Sequence, residues 1–133
     1  MTLIPNSPGA PVQCEPPAVP EHMVVLLLEG GQRVLVKLEE AIASDDPRLK
    51  AHFTKKMLAI LDELRRRLNH DQGGDLVDTL DRLYDWWHRE ILLARSNGDV
   101  ERLKRVHAQM GDMRQAWEYV LFQGEGMSES PEL

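Results

Sequence analysis

The stretch Asp71–Ala94, DQGGDLVDTLDRLYDWWHREILLA, decides the fold. A glycine pair and an acidic first turn lead into a run whose large apolar residues recur at Leu76, Leu80, Leu83, Trp87, Ile91 and Ala94. Steps of three and four put these six on one face of an α-helix, because a helix turns once every 3.6 residues. Asp75 and Asp78 place negative charge at the positive end of that helix, which favours a start there. Val77, Tyr84 and Trp86 fall off the stripe. A single seam in a small bundle does not need three further large apolar groups. Either the helix is packed on two sides, or it offers apolar surface to a partner.

Working outward, the same periodicity returns three more times. A first helix is predicted over roughly Glu21 to Ser44, with Met23, Leu27, Val34, Leu38 and Ala41 sharing a face. Gly30 and Gly31 interrupt it, and each costs about 0.8–1.0 kcal/mol relative to alanine inside a helix. That cost implies a compensating close approach or a kink. Ser44-Asp45-Asp46-Pro47 supplies capping residues and then a proline for a first helical position. The second helix carries Leu49, Phe53, Met57, Ile60, Leu64 and Leu68 on one side and ends around Asn69–Gly74. Ser96-Asn97-Gly98-Asp99 makes the next turn, with Asp99 as N-cap. Leu103, Val106, Met110, Met113, Trp117 and Val120 define the last helix up to Gly124, a C-terminal stop signal. Short connections force antiparallel neighbours, so the expectation is an all-α, antiparallel up-down-up-down four-helix bundle over residues 21–124. Residues 1–20 hold six of the eight prolines and read as a flexible leader, and 125–133 as a frayed acidic tail.

The totals restrict function. A chain of 133 residues makes one domain with a modest core. A net charge of −6 argues against a nucleic-acid binder, which needs clustered excess Lys and Arg. The one basic run, Arg65-Arg66-Arg67, is diluted by Asp62 and Glu63 and reads as a solvated helix face. Cys14 is the sole cysteine, which fits a reducing compartment. The longest apolar run, Met23–Leu28, is too short for a signal core or a membrane span, so a cytoplasmic protein without membrane insertion is expected.

Catalytic patterns are weak. A di-metal bundle needs paired Glu-x-x-His motifs, and this chain offers only Asp85-x-x-His88. Ala51-His52-Phe53-Thr54-Lys55 resembles a histidine-phosphotransfer motif, with lysine on the face of the histidine. Lys56 stands where that motif wants a small residue that leaves the imidazole open. There is no phosphate loop and no nucleophile elbow. No cofactor and no enzymatic activity are expected; the alternative reading is a helical adaptor or a phosphotransfer module using His52.

The ordered pieces VPEHMVVLLLEG (19–30), Gln72-Gly73-Gly74-Asp75-Leu76, Leu80, Leu83-Tyr84-Asp85, Asn97-Gly98-Asp99 and Arg114-Gln115-Ala116-Trp117 resemble the FliS family of flagellin export chaperones. The likeness extends over about 100 residues, with the spacings between motifs preserved. It departs from the family pattern in Leu28 before Glu29, where a tyrosine is usual, and in a leader without tyrosine. The resemblance implies a helical bundle without catalysis. It also implies a partner, the carboxy-terminal amphipathic segment of flagellin, held in the bacterial cytosol against premature polymerisation and delivered to the flagellar type III export apparatus.

Spare apolar groups are the expected partner contacts. Leu28 and Leu35 are offset from the first helix's stripe, Tyr84 and Trp86 from the third, and Tyr119 and Phe122 from the last. Trp87 and Trp117 follow the core period, so they are bundle packing first and partner contacts second; Leu80 is counted with them.

Overall fold

A computed structural model of the chain describes the backbone of residues 18–68 and 70–129, and the side chains of 22–68 and 74–121. Four helices account for nearly all of it: α1 (Ala18–Ala43), α2 (Pro47–Arg66), α3 (His70–Asn97) and α4 (Val100–Glu129). No strand occurs among the described residues. Helix α1 packs on α2 and α4, and α3 packs on the same two, so the chain is a four-helix bundle with sequence neighbours antiparallel. Most of the proline-rich leader, Cys14 within it, and residues 130–133 of the acidic tail lie outside the described residues.

Local chemistry explains the connections. Asp46 is the N-cap of α2, its carboxylate accepting from the amides of Arg48 and Leu49 at 3.1 Å each, and Pro47 follows at the first helical position. Gly98 turns the chain between α3 and α4 at a φ of 66°. Asp99 sits just before α4, where its carboxylate pairs with Arg102 Nε at 3.1 Å. Gly74 kinks α3 just after its first turn, with φ 58° and ψ −140°, a conformation essentially restricted to glycine. The stop predicted at Gly124 is corrected, since α4 continues as helix to Glu129; α1 likewise begins at Ala18, ahead of Glu21.

The core stripe of α1 also needs correction. The buried residues are Val24, Leu28, Leu35, Leu38 and Ala41, one position on from the predicted stripe at its first half. Gly31 is the reason. It occupies the missing member of the series between Leu28 and Leu35, and it is buried. A Cβ placed there would lie 2.7 Å from Met110 Cε and 3.0 Å from Met57 Cε. The glycine therefore completes the stripe by leaving room for two methionines from α4 and α2, a compensation for its cost in helix propensity. In α2 the buried line is Thr54, Met57, Leu61 and Leu64, with Phe53 and Ile60 at its margin, Leu68 packed against the core just past its end, and Leu49 exposed.

The two adjacent glycines should behave differently. A Cβ on Gly30 meets nothing closer than Arg33 Nη2 at 3.9 Å. Gly30→Ala is expected to raise the unfolding free energy by up to about 1 kcal/mol. Gly31→Leu should lower it by about 1–3 kcal/mol through overpacking. Urea denaturation read by circular dichroism measures both.

Candidate functional site

The α3–α4 hairpin carries the site, and its polar ties change along its length. Near the turn, Arg102 Nη1 donates to both carboxylate oxygens of Glu90 at 3.0 Å, and Glu90 is buried. One turn further, Trp87 Nε1 donates to Gln109 Oε1 at 2.8 Å. One turn beyond that, the Tyr84 hydroxyl reaches only the sulfur of Met113, at 3.8 Å. Past this level the seam holds a groove of about 660 Å³ lined by Leu76, Leu80 and Leu83 from α3 and by Met113, Trp117 and Val120 from α4. Ala116, Gln109 and Asp112 complete the lining. Leu76 is 64% exposed and Val120 52% exposed, so the lips of the groove are apolar side chains left in water. Full burial of a fully exposed group of this size contributes roughly 1.5–3 kcal/mol, so covering these half-exposed lips contributes about half of that each before ordering costs.

The groove arises because α3 bears two apolar stripes that meet at Trp87. Val77, Tyr84, Trp87, Ile91 and Ala94 are buried in the bundle. Leu76, Leu80 and Leu83 lie on the neighbouring stripe and turn toward the carboxy-terminal half of α4. In α4, Leu103, Val106 and Met110 are fully buried, whereas Met113 and Trp117 are partly buried and Val120 is exposed. One regular stripe thus serves the core in its first half and the groove in its second.

Of the predicted contact residues, Leu80 and Trp117 line the groove. Three surface assignments are corrected. Leu28 and Leu35 are fully buried in α1's true core stripe, and Tyr84 is 1% exposed, its ring 5.6 Å from that of Trp87. Trp87 is wholly buried, as its core period requires. Trp86 is partly buried against the core, and Tyr119 is 63% exposed; neither lines the groove. The side chain of Phe122 lies outside the described residues. Leu76, Leu83, Met113 and Val120 were missed as groove residues because they sit on stripes that read as core. Their signal was the presence of two stripes on α3 where one seam needs one.

The catalytic candidates stand elsewhere. His52 is exposed on α2, edge-on to Phe53 with ring centroids 4.8 Å apart. Asp85 pairs with Arg89 at 3.0 Å and with Arg65 at 3.8 Å. Among the described residues no group of three His, Cys, Asp or Glu side chains is placed to hold a metal ion. No described helix is long and apolar enough to cross a membrane.

Comparison with known proteins gives a consistent result. The family described as "Flagellar protein FliS" matches residues 16–123. The chain is 28% identical over 101 residues to the flagellar secretion chaperone FliSB of Pseudomonas aeruginosa, covering 76% of this chain and 80% of that protein. It is 25% identical over 104 residues to the flagellar secretion chaperone FliS of Salmonella typhimurium, covering 77% of each. Against the Vibrio cholerae flagellar secretion chaperone FliS the identity is 28% over 103 residues, with 77% of this chain and 76% of the relative covered.

Burial separates core from groove in a measurable way. Tyr84→Ala should cost about 3–5 kcal/mol of stability, whereas Leu76→Ala should stay within about 0.5 kcal/mol. Desolvation pushes the Tyr84 phenol up to about 12 from an ordinary 10.0. The folded state therefore holds the phenol neutral, and its contribution is complete below pH 10 and lost as pH rises toward 12. The stability difference between wild type and Tyr84→Phe should accordingly shift by about 2 kcal/mol against wild type between pH 9 and pH 12. Urea midpoints across that range read it.

Proposed function

The chain belongs to the FliS family of flagellar proteins, and from that premise we propose that it is a chaperone for flagellin. It binds the carboxy-terminal amphipathic segment of the subunit in the bacterial cytosol, keeps it from polymerising early, and assists its passage to the type III export apparatus. It does so by binding alone, without catalysis or cofactor. The observation that carries this reading is the apolar groove on the α3–α4 seam, with Leu80 and Trp117 in its lining and Leu76 and Val120 exposed at its lips.

The physical argument runs from surface to client. An amphipathic segment outside its filament exposes an apolar stripe, and a groove between two helices is a standard receptor for such a stripe. Burial of a few large side chains on each side favours association. Ordering of the client offsets part of that gain, which keeps the complex reversible. Reversibility suits a protein that must surrender its client to export.

Calorimetric titration with the carboxy-terminal segment of the same organism's flagellin tests the proposal. One segment should bind per chain, with a gain of helical signal. Leu80→Asp or Trp117→Ala should weaken it by about tenfold or more, in line with about 1.5–3 kcal/mol for a large apolar group. Absence of binding at about 50 μM, weaker than roughly −6 kcal/mol, would rule the reading out.

A further inference from the structure

We infer that Gln109 fixes the register of the client by donating a hydrogen bond to an uncharged side-chain oxygen, a carboxamide or hydroxyl, on the segment that fills the α3–α4 groove. The inference rests on the chaperone reading and adds a chemical requirement to it.

An indole N–H can only donate, so the group facing Trp87 Nε1 must be the oxygen of the Gln109 amide. The 2.8 Å bond between them settles which way the amide points. Its other end, Nε2, then faces away from the wholly buried indole. Gln109 lines the groove, and among the described residues Nε2 has no hydrogen-bond partner and is not sealed from solvent. It is thus a donor held in fixed orientation at the inner end of a surface otherwise formed mainly by leucine, methionine, tryptophan and valine.

In the free protein, water can satisfy this donor. A client lying in the groove displaces that water, and a covered donor without an acceptor is penalised more than an ordinary bond is rewarded. The client must therefore present an oxygen there. Asp112, one turn along α4 and also in the lining, has no ion-pair partner among the described residues and disfavours a client carboxylate. A helical client has its main-chain carbonyls engaged within its own helix, which leaves side-chain carboxamides and hydroxyls as available acceptors. The same requirement discriminates against purely apolar segments that would otherwise fit, since sites with a fixed polar group reject ligands that leave it unpaired.

The test replaces each Asn, Gln, Ser and Thr of the flagellin carboxy-terminal peptide by alanine and titrates the set into wild type, Gln109→Glu and Gln109→Leu. Gln109→Glu keeps the oxygen that Trp87 needs while removing the –NH2 group. One peptide position should weaken binding to wild type roughly 5- to 50-fold and have no effect on either variant. In nitrogen-15 spectra of wild type, the Gln109 side-chain amide should shift and gain exchange protection on binding, a readout independent of how the variants fold. Unmoved Gln109 amide signals alongside a shifted Trp117 indole would overturn the inference and leave the chaperone reading standing. A protected amide with no coupled peptide position would assign the acceptor to the client's main chain and overturn the side-chain assignment. If the parent peptide leaves wild type unchanged, both readings fall together.

Discussion

The burial of Trp87 is the constraint on which the rest of the structure depends. Its indole is fully enclosed, touches Tyr84, and has its one polar group satisfied by Gln109. Two apolar stripes of α3 converge there, and the bundle can bury only one of them. Ile91 and Ala94 continue the line from Trp87 into the core, and Val77 and Tyr84 extend it the other way. The remaining stripe, Leu76, Leu80 and Leu83, is left to share a groove with α4. Core and candidate binding surface are therefore consequences of one choice, made by which side of α3 meets α2 and α4.

Much of the fold was legible in the sequence because helices announce themselves at their ends and by their period. Asp46 and Pro47 mark the start of α2 by chemistry that has few other uses, and Gly98 marks the α3–α4 turn through its positive φ. Harder to read was which of two adjacent stripes faces inward. Positions one residue apart differ by only 100° around a helix, and a broad apolar face contains both candidates. In α1 the difficulty was compounded by Gly31, whose place in the core series is recorded by the absence of a side chain. Period counting sees a gap there, whereas packing sees the space taken by Met57 and Met110. Gly124 shows the converse. A glycine ends a helix where the chain needs positive φ, and where it does not, its cost of about 1 kcal/mol is too small to stop one.

The candidate site was legible as an excess of apolar residues and was misplaced in detail for the same reason. Tyr84 looks surplus beside Leu76, Leu80 and Leu83, which are themselves the residues left to the groove, and Leu28 looks surplus because Gly31 interrupts its own core series. Leu80 and Trp117, expected as contacts, line the groove while also packing against the core.

The remaining step concerns why the spare stripes form a groove on this seam. Two of the other seams, α2–α3 and α1–α4, carry polar ties close to the same end of the bundle. Arg65 bridges α2 to Asp81 of α3 at 2.9 Å, and Arg114 of α4 reaches Gln32 and Glu29 of α1 at 3.1 and 3.4 Å. Gly111 makes room for Gln32, whose Nε2 also donates to the His107 carbonyl at 3.2 Å. Partly exposed polar ties of this kind contribute little stability singly, but they set which faces are turned toward each other. Along the α3–α4 seam the sequence of ties weakens with distance from the turn: a bidentate ion pair at Glu90, a neutral hydrogen bond at Trp87, then a sulfur contact at Tyr84. Beyond it, among the described residues, no polar tie joins the two helices. The hairpin is fastened at its closed end and lined with apolar side chains at the other, so a segment can enter the groove without breaking any bond that holds the bundle together.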